Sequence, residues 1–190
     1  MTTNETVQSG SVMTLLGDFI ALTKPRVMSL LLVSAIAGAF LGAGSTPTLE
    51  VIVAVLIGGA LASGGAAALN MAYEGDLDRR MGRTKNRPVA EGRISALTAV
   101  MYGITLNIIS FVLLALMTNV LAASLAIAGT ILYFGLYTVI LKRTTTQNIV
   151  LGGAAGAVPP LVGYAAATGT IDLAAWYMLI IVLFWTPPHF

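Results

Sequence analysis

Long apolar runs alternate with short polar connections along the chain. A helix that crosses the hydrocarbon core of a bilayer, about 30 Å thick, needs about 20 apolar residues. Six runs have lengths near that value, and Pro159 with Pro160 predicts a break inside the fifth. The pattern therefore predicts an all-α, polytopic membrane bundle of six transmembrane helices. The predicted spans are Val27–Ala43, Glu50–Tyr73, Ser95–Met117, Val120–Leu141, Ile149–Ala167 and Asp172–Trp185.

The basic residues all fall in alternate connections between these runs. The ten Lys and Arg residues occupy 24–26, 74–94 and 142–143. The connections without Lys or Arg are 44–49, 118–119 and 168–171. Because cytoplasmic connections are enriched in Lys and Arg, we predict an integral multi-pass protein with a cytoplasmic N-terminus.

Composition agrees with a membrane protein and excludes several kinds of site. Hydrophobic residues make up 57% of the chain and charged residues only 9%, against about 25% charged in soluble domains. The chain has no cysteine, which excludes disulfides, thiolate metal sites and cysteine nucleophiles. A formal charge of +2 gives no argument for a nucleic-acid partner. We predict a disordered polar tail over 1–17 and a single transmembrane domain over 18–190.

The polar stretch that follows the second run holds the candidate chemistry. Asn70, Glu74 and Asp78 recur at intervals of four residues, which places them along one face of a helix. Oxygen donors of this kind suit Mg²⁺ held by carboxylates and substrate phosphates. Arginine suits phosphate oxygens, so the stretch indicates a metal–diphosphate site at a membrane surface. The basic residues that follow are Arg79, Arg80, Arg83, Lys85 and Arg87.

Membrane orientation alone would explain any single Arg in this stretch. It does not explain the acidic row, because Asp and Glu contribute little to orientation. Asp76 should face away from the row, and a second metal site and a solvated side chain both stay open for it. Lys24 and Arg26 are interpreted as topology charges, with a role at the site left open.

Four stretches match known motifs in their residue order. They are Leu-Thr-Lys-Pro-Arg at 22–26, the segment 70–88, the segment 141–160, and Phe-Trp-Thr-Pro-Pro-His-Phe at 184–190. Together they resemble the UbiA family of intramembrane prenyltransferases, and most closely its protohaem IX farnesyltransferase branch. The acidic row alone is typical of the superfamily, whereas Arg-Thr-Lys-Asn-Arg-Pro at 83–88 with the last stretch is typical of the haem branch.

The resemblance implies a Mg²⁺-dependent transfer of the farnesyl group of farnesyl diphosphate to a vinyl group of haem b, which yields haem O and diphosphate. It implies that Asn70, Glu74 and Asp78 are catalytic and hold Mg²⁺. Most relatives have Asp in place of Glu74, but the carboxylate is kept, so metal binding should survive. His189 is a candidate haem ligand. The diphosphate-binding residues implied are Arg79, Arg83, Lys85, Arg87, Lys142 and Arg143.

The resemblance also implies a larger fold and further partners. Because the family has about nine helices, we expect 18–190 to be the N-terminal two thirds of a UbiA-type fold, truncated at its C-terminal side, and its activity alone stays open. A bacterial plasma membrane is the expected location, and a haem A synthase or terminal oxidase assembly is a candidate partner. Two alternatives are a relative that prenylates an aromatic acceptor such as 4-hydroxybenzoate and a small transporter. A transporter should carry polar groups near the middle of several spans, where this chain is almost bare.

Overall fold

A computed structural model of the chain describes residues 12–145 and 148–189, and all regular structure in these ranges is helical. The prediction of an all-α protein is therefore confirmed for them. The elements are α1 (Val12–Leu22), α2 (Pro25–Ala43), α3 (Leu49–Arg80), α4 (Ala96–Met117), α5 (Val120–Thr130), the π-helix π1 (Ile131–Leu141), α6 (Lys142–Thr144), α7 (Asn148–Gly156), α8 (Val158–Thr168) and α9 (Leu173–His189).

Four helical segments in the described residues are long and apolar enough to cross a membrane, and they match the first four predicted spans. They are Pro25–Ala43, Leu49–Arg80, Ala96–Met117 and Val120–Leu141, the last formed by α5 and π1. The region of the fifth predicted span contains α7 and α8, and the apolar part of α9 is Leu173–Trp185. The six-span topology thus remains a prediction for its last two members.

The break between α7 and α8 lies where the two prolines predict it. α8 begins at Val158 and carries proline in its first turn. Proline fits a first turn because no backbone N–H is needed there, whereas inside a helix its ring clashes with the preceding turn. The predicted interruption is therefore confirmed.

The predicted disordered tail over 1–17 is wrong for residues 12–17, because α1 begins at Val12. The helix is held by its C-terminal half: Leu22 is buried, and the Phe19 ring meets Tyr102 of α4 at 4.9 Å between centroids. The Asp18 carboxylate accepts a hydrogen bond of 3.0 Å from Arg93. Residues 1–11 lie outside the described part of the chain.

Small residues set the packing of the bundle. A Cβ added to Gly65 of α3 would lie 2.7 Å from the carbonyl oxygen of Gly103 on α4. A Cβ on Gly163 of α8 would overlap the backbone of Ala35 on α2. Close backbone approach at small residues is the usual basis of helix association in lipid, and here it fixes α3 against α4 and α2 against α8.

Helix α3 is longer than a membrane is thick. Its 32 residues extend about 48 Å, against a hydrocarbon core of about 30 Å. The second predicted span ends at Tyr73, but the helix continues to Arg80. If the core begins near Leu49, the last third of α3, which contains the acidic row, emerges beyond the hydrocarbon.

The expectation that span centres are almost bare is wrong for α4. Asn107 and Ser110 are buried there, and their polar atoms are paired. Thr130 donates to Asn107 Oδ1 at 2.7 Å, and Ser110 donates to the carbonyl oxygen of Gly58 at 2.7 Å. Since these bonds join α4 to α5 and α3, they cross-link helices, as such groups do in lipid.

Candidate active site

The three predicted metal ligands lie on one buried face of α3. Asn70, Glu74 and Asp78 are 2%, 5% and 2% exposed. Asp76 lies on the opposite face and is exposed. The spacing therefore predicts the facing of all four side chains, because the backbone is a regular helix throughout.

Both buried carboxylates are paired with basic side chains from other segments. Lys142 of α6 donates to Glu74 Oε1 at 2.5 Å. Arg87, in the connection after α3, donates through Nη1 to Asp78 Oδ1 at 2.9 Å and Oδ2 at 2.8 Å. A carboxylate removed from water needs such a partner. The predicted diphosphate ligands Lys142 and Arg87 therefore reach the acidic row itself.

Lys24, for which the sequence leaves a role at the site open, is the third basic group at this face. Its ammonium group donates to Asn70 Oδ1 at 2.6 Å. Burial lowers the pKa of Lys24 from 10.5 to about 8, and the nearby Arg87 charge adds to the decrease, while Glu74 and Asp78 oppose it. Lys24 also has φ 51° and ψ 62°, a left-handed conformation that is uncommon outside glycine.

Thr138 completes the face. It is 1% exposed, and its Oγ1 accepts a hydrogen bond of 3.0 Å from Asn70 Nδ2. The same hydroxyl donates to the carbonyl oxygen of Tyr133 at 3.0 Å. No sequence signal marks Thr138, because its position depends on how π1 packs against α3.

Arg79 is not brought to this face, although the resemblance implies a role in diphosphate binding. Its Nε donates to the carbonyl oxygen of Ala90 at 2.9 Å, and its Nη1 lies 3.2 Å from Asp76 Oδ1. The side chain therefore braces the connection after α3 on the far side of the helix.

The other implied site residues are less closely placed. Arg83 and Lys85 are exposed in the connection after α3, and neither contacts the acidic row among the hydrogen bonds and ion pairs formed by described residues. The side chains of Arg143 and His189 lie outside the described residues.

An apolar cavity of about 480 Å³ lies beside Lys24, between α2, α3, α5, π1, α7 and α8. It follows α2 from Lys24 to Ala35, a distance of about 16 Å. Tyr133 and Tyr137 stack on its wall with ring centroids 5.9 Å apart. The polar face and the cavity therefore meet at Lys24. Other lining residues include Val27, Leu31, Gly59, Ala62, Ala126, Gly129 and Val162.

The donor set at this face fits a hard divalent cation. The described residues contain no group of three or more His, Cys, Asp and Glu side chains arranged for a metal. The row instead offers two buried carboxylates and one amide oxygen, all oxygen donors. Mg²⁺ is commonly held by one or two carboxylates with substrate phosphates and water, and these three residues have donor atoms of that kind.

The sequence matches the UbiA prenyltransferase family over residues 31–190. This chain belongs to the UbiA family. Several curated relatives are called protoheme IX farnesyltransferase. Those of Trichodesmium erythraeum and Thermus thermophilus are each 49% identical over 173 residues, 91% of this chain, and that of Chloroflexus aurantiacus is 47% identical over 177 residues, 93% of this chain. The aligned part of this chain spans 53%, 28% and 30% of the lengths of these three relatives, respectively.

Solved structures of the same fold agree with the family assignment. A UbiA homolog from Archaeoglobus fulgidus bound to DMAPP and Mg²⁺ superposes with a TM-score of 0.77 at 17% identity, covering 90% of this chain and 62% of that one. The same homolog bound to GPP and Mg²⁺ gives a TM-score of 0.75 at 18% identity, with the same coverage. The helical arrangement described above is therefore a UbiA-type fold.

Proposed function

We propose that this chain forms the diphosphate- and prenyl-binding part of a protohaem IX farnesyltransferase, which transfers a farnesyl group to haem b to yield haem O. One observation carries the proposal: three basic side chains from three segments converge on the acidic row at the end of an apolar cavity. The names of the curated relatives support farnesyl diphosphate and haem as substrates. The neighbours bound to prenyl diphosphates and Mg²⁺ support a metal-assisted transfer.

The ion pairs of the polar face suggest how the substrate is received. Lys24, Arg87 and Lys142 bring three positive charges to the two negative charges of Glu74 and Asp78. A diphosphate group offers these cations several oxygens, so it competes with the carboxylates for them. As the cations move to the diphosphate, Glu74 and Asp78 lose these partners, and with Asn70 they would hold Mg²⁺.

The residues then stabilise the departure of diphosphate. Bound Mg²⁺ would act as a Lewis acid on the leaving oxygens. Arg87, Lys142 and Lys24 neutralise the charge that develops there as the C–O bond of farnesyl diphosphate breaks. The apolar cavity holds the prenyl chain and excludes water, which would otherwise capture the allylic cation. We also propose that Arg83 and Lys85, which are exposed in the connection after α3, attract the anionic substrate.

The acceptor half of the reaction rests on chemistry at the vinyl group. The terminal vinyl carbon of haem b supplies the electron pair for the new C–C bond, and water adds to the resulting cation with loss of a proton, which gives the hydroxyethylfarnesyl group. We propose His189 as a haem ligand and Arg143 as a further diphosphate ligand. We also propose a bacterial plasma membrane location, a cytoplasmic site and N-terminus, and a haem A synthase or terminal oxidase as the recipient of the product.

The proposal is tested on the full gene product in membranes of a bacterial host without its own haem O synthase. The membranes receive farnesyl diphosphate, Mg²⁺ and haem b, and haem O is measured by chromatography. Asp78→Ala should lower the rate by about 100-fold or more, since it removes a group that acts on the transition state. Asp76→Ala, which changes an exposed carboxylate two residues away, is the matched control and should keep the wild-type rate.

Two results would overturn the assignment. Equal rates for wild type and Asp78→Ala would remove the role of the acidic row. Prenylation of 4-hydroxybenzoate but not of haem b by the same membranes would replace the acceptor.

A further inference from the structure

We propose that Thr138 is a positioning residue that sets which end of the Asn70 amide faces the site. The two ends of an asparagine amide have nearly the same shape but opposite hydrogen-bonding character. Only the oxygen can bind a cation, so an amide turned the other way would present N–H groups to it. This inference rests on the proposed function, because it concerns a ligand of the proposed metal.

The hydrogen bonds of Thr138 determine the orientation. Its hydroxyl proton is donated to the carbonyl oxygen of Tyr133 at 3.0 Å. The hydroxyl oxygen is then left as an acceptor, and it takes Asn70 Nδ2 at 3.0 Å. On the other side, the Lys24 ammonium group can only donate, and it meets Asn70 Oδ1 at 2.6 Å. Both contacts thus select the same amide orientation.

Of the two contacts, that of Thr138 is the one that persists when substrate is bound. Lys24 is among the cations that move to the diphosphate in the proposed function, so it cannot then hold the amide. Thr138 is neutral and 1% exposed, and it has no reason to leave. With Nδ2 held, Oδ1 stays directed toward the place that the ammonium group vacates.

The π-helical backbone links Thr138 to its acceptor. Thr138 and Tyr133 are five residues apart, which is the spacing between donor and acceptor in the hydrogen bonds of a π-helix. The wider turn thus brings the Tyr133 carbonyl oxygen to the Thr138 hydroxyl. π-Helical turns are often found at functional sites, and here the π-helical turn positions the acceptor for the Thr138 hydroxyl.

The test measures metal affinity in the full gene product, purified in detergent. Farnesyl thiodiphosphate, an unreactive substrate analogue, is titrated by calorimetry at increasing Mg²⁺ concentration. Thr138→Val keeps the shape of the side chain and removes the hydroxyl, whereas Thr138→Ser keeps the hydroxyl and removes a methyl group. Thr138→Ala removes the hydroxyl without placing a second methyl group beside Asn70, and is measured alongside in case the valine variant does not fold.

Loss of a hydrogen bond that orients a metal ligand typically weakens metal affinity about 10- to 100-fold. Thr138→Val and Thr138→Ala should therefore need at least about tenfold more Mg²⁺ for half-maximal binding of the analogue, and Thr138→Ser should stay near wild type. The matched control is Ser110→Ala, which removes another buried hydroxyl, bonded to Gly58. It should lower stability toward SDS but leave the Mg²⁺ requirement unchanged.

The outcomes separate the two proposals. If wild-type binding of the analogue does not depend on Mg²⁺, both the proposed function and the positioning role of Thr138 are overturned. If wild type depends on Mg²⁺ but a folded Thr138→Val or Thr138→Ala variant has the same requirement, only the positioning role is overturned. An equal loss of Mg²⁺ affinity in Ser110→Ala would also overturn it, by showing a general effect of destabilisation.

Discussion

Replacing Arg87 by Met should destabilise the folded chain. It should also change the affinities for the divalent cation and for the diphosphate analogue in opposite directions. The Asp78 side chain is 3% exposed, and Arg87 Nη1 meets both of its oxygens, at 2.9 and 2.8 Å. Removing one partner of a buried ion pair costs about 3–5 kcal/mol, because the other charge stays buried without compensation. Since Arg87 is 27% exposed and water can enter when it is removed, we expect the lower end, about 3 kcal/mol.

The ligand effects follow from the competition at Asp78. Without the guanidinium group, the carboxylate is free for Mg²⁺, so Mn²⁺ used as a probe should bind Arg87→Met more tightly than wild type in the absence of diphosphate. Farnesyl thiodiphosphate should bind more weakly, because one of its cations is gone. A simple loss of structure would weaken both ligands, so the opposite signs are the informative result.

The free energy of unfolding is measured by SDS titration, Mn²⁺ binding by electron paramagnetic resonance, and analogue binding by calorimetry. Arg87→Lys, which keeps the charge but loses the fork of donors, should fall between wild type and Arg87→Met. Adding Asp78→Asn to Arg87→Met should recover more than half of the lost stability, since no buried charge then remains. An unchanged stability in Arg87→Met, or a weaker affinity for Mn²⁺, would refute the reasoning.

Three further predictions concern packing, the cavity and pH. Gly163→Ala should lower the free energy of unfolding, measured by SDS titration, by about 1–3 kcal/mol, because the added Cβ overlaps the backbone of Ala35. Gly156→Ala, whose added Cβ meets nothing within 4 Å, should change it little. Ala126→Leu should weaken farnesyl thiodiphosphate more than inorganic pyrophosphate in calorimetry, since it fills the cavity but not the polar face; equal losses for both would contradict this. The hydrogen bond from Tyr164 lowers the pKa of Asp172 below 3.8. In thermal melts, wild type should therefore be more stable than Tyr164→Phe above about pH 4, and this difference should be lost as pH falls through the lowered pKa. A constant difference in stability across that range would contradict the prediction.

The acidic row could be predicted from the sequence because it depends on one helix. Four-residue spacing fixes the facing of Asn70, Glu74 and Asp78 once α3 is regular, and the same geometry turns Asp76 outward. The first four spans could be predicted for a similar reason, since each is a single apolar segment whose length the bilayer sets.

The partners of that row could not be predicted one by one. Arg79 and Arg87 are equally basic in sequence, but Arg79 lies one residue after Asp78 on α3 and is directed to the far side of the helix. Arg87 lies in a connection that folds back on Asp78. Lys24 and Lys142 reach the row only because α2 and π1 pack beside α3, which is a property of the tertiary fold.

The π-helix and α1 show two other limits. A π-helical repeat has no established residue pattern, so Thr138 was indistinguishable from any threonine in an apolar span. The prediction places residues 12–17, which are mostly apolar, in the polar tail. The contacts that hold α1 come from Asp18, Phe19 and Leu22, which bind partners in distant segments.

Because the chain is synthesised from its N-terminus, the three residue pairs of the polar face become able to form at different times. Lys24 precedes Asn70, and Arg87 follows Asp78 by nine residues, but Lys142 follows Glu74 by 68 residues. At roughly 5–20 residues per second, a ribosome needs about 3–14 s to cover that interval. Glu74 is therefore synthesised several seconds before Lys142, and it lies in the growing bundle without this partner. The ion pair between Glu74 and Lys142 is the last of the three contacts to form.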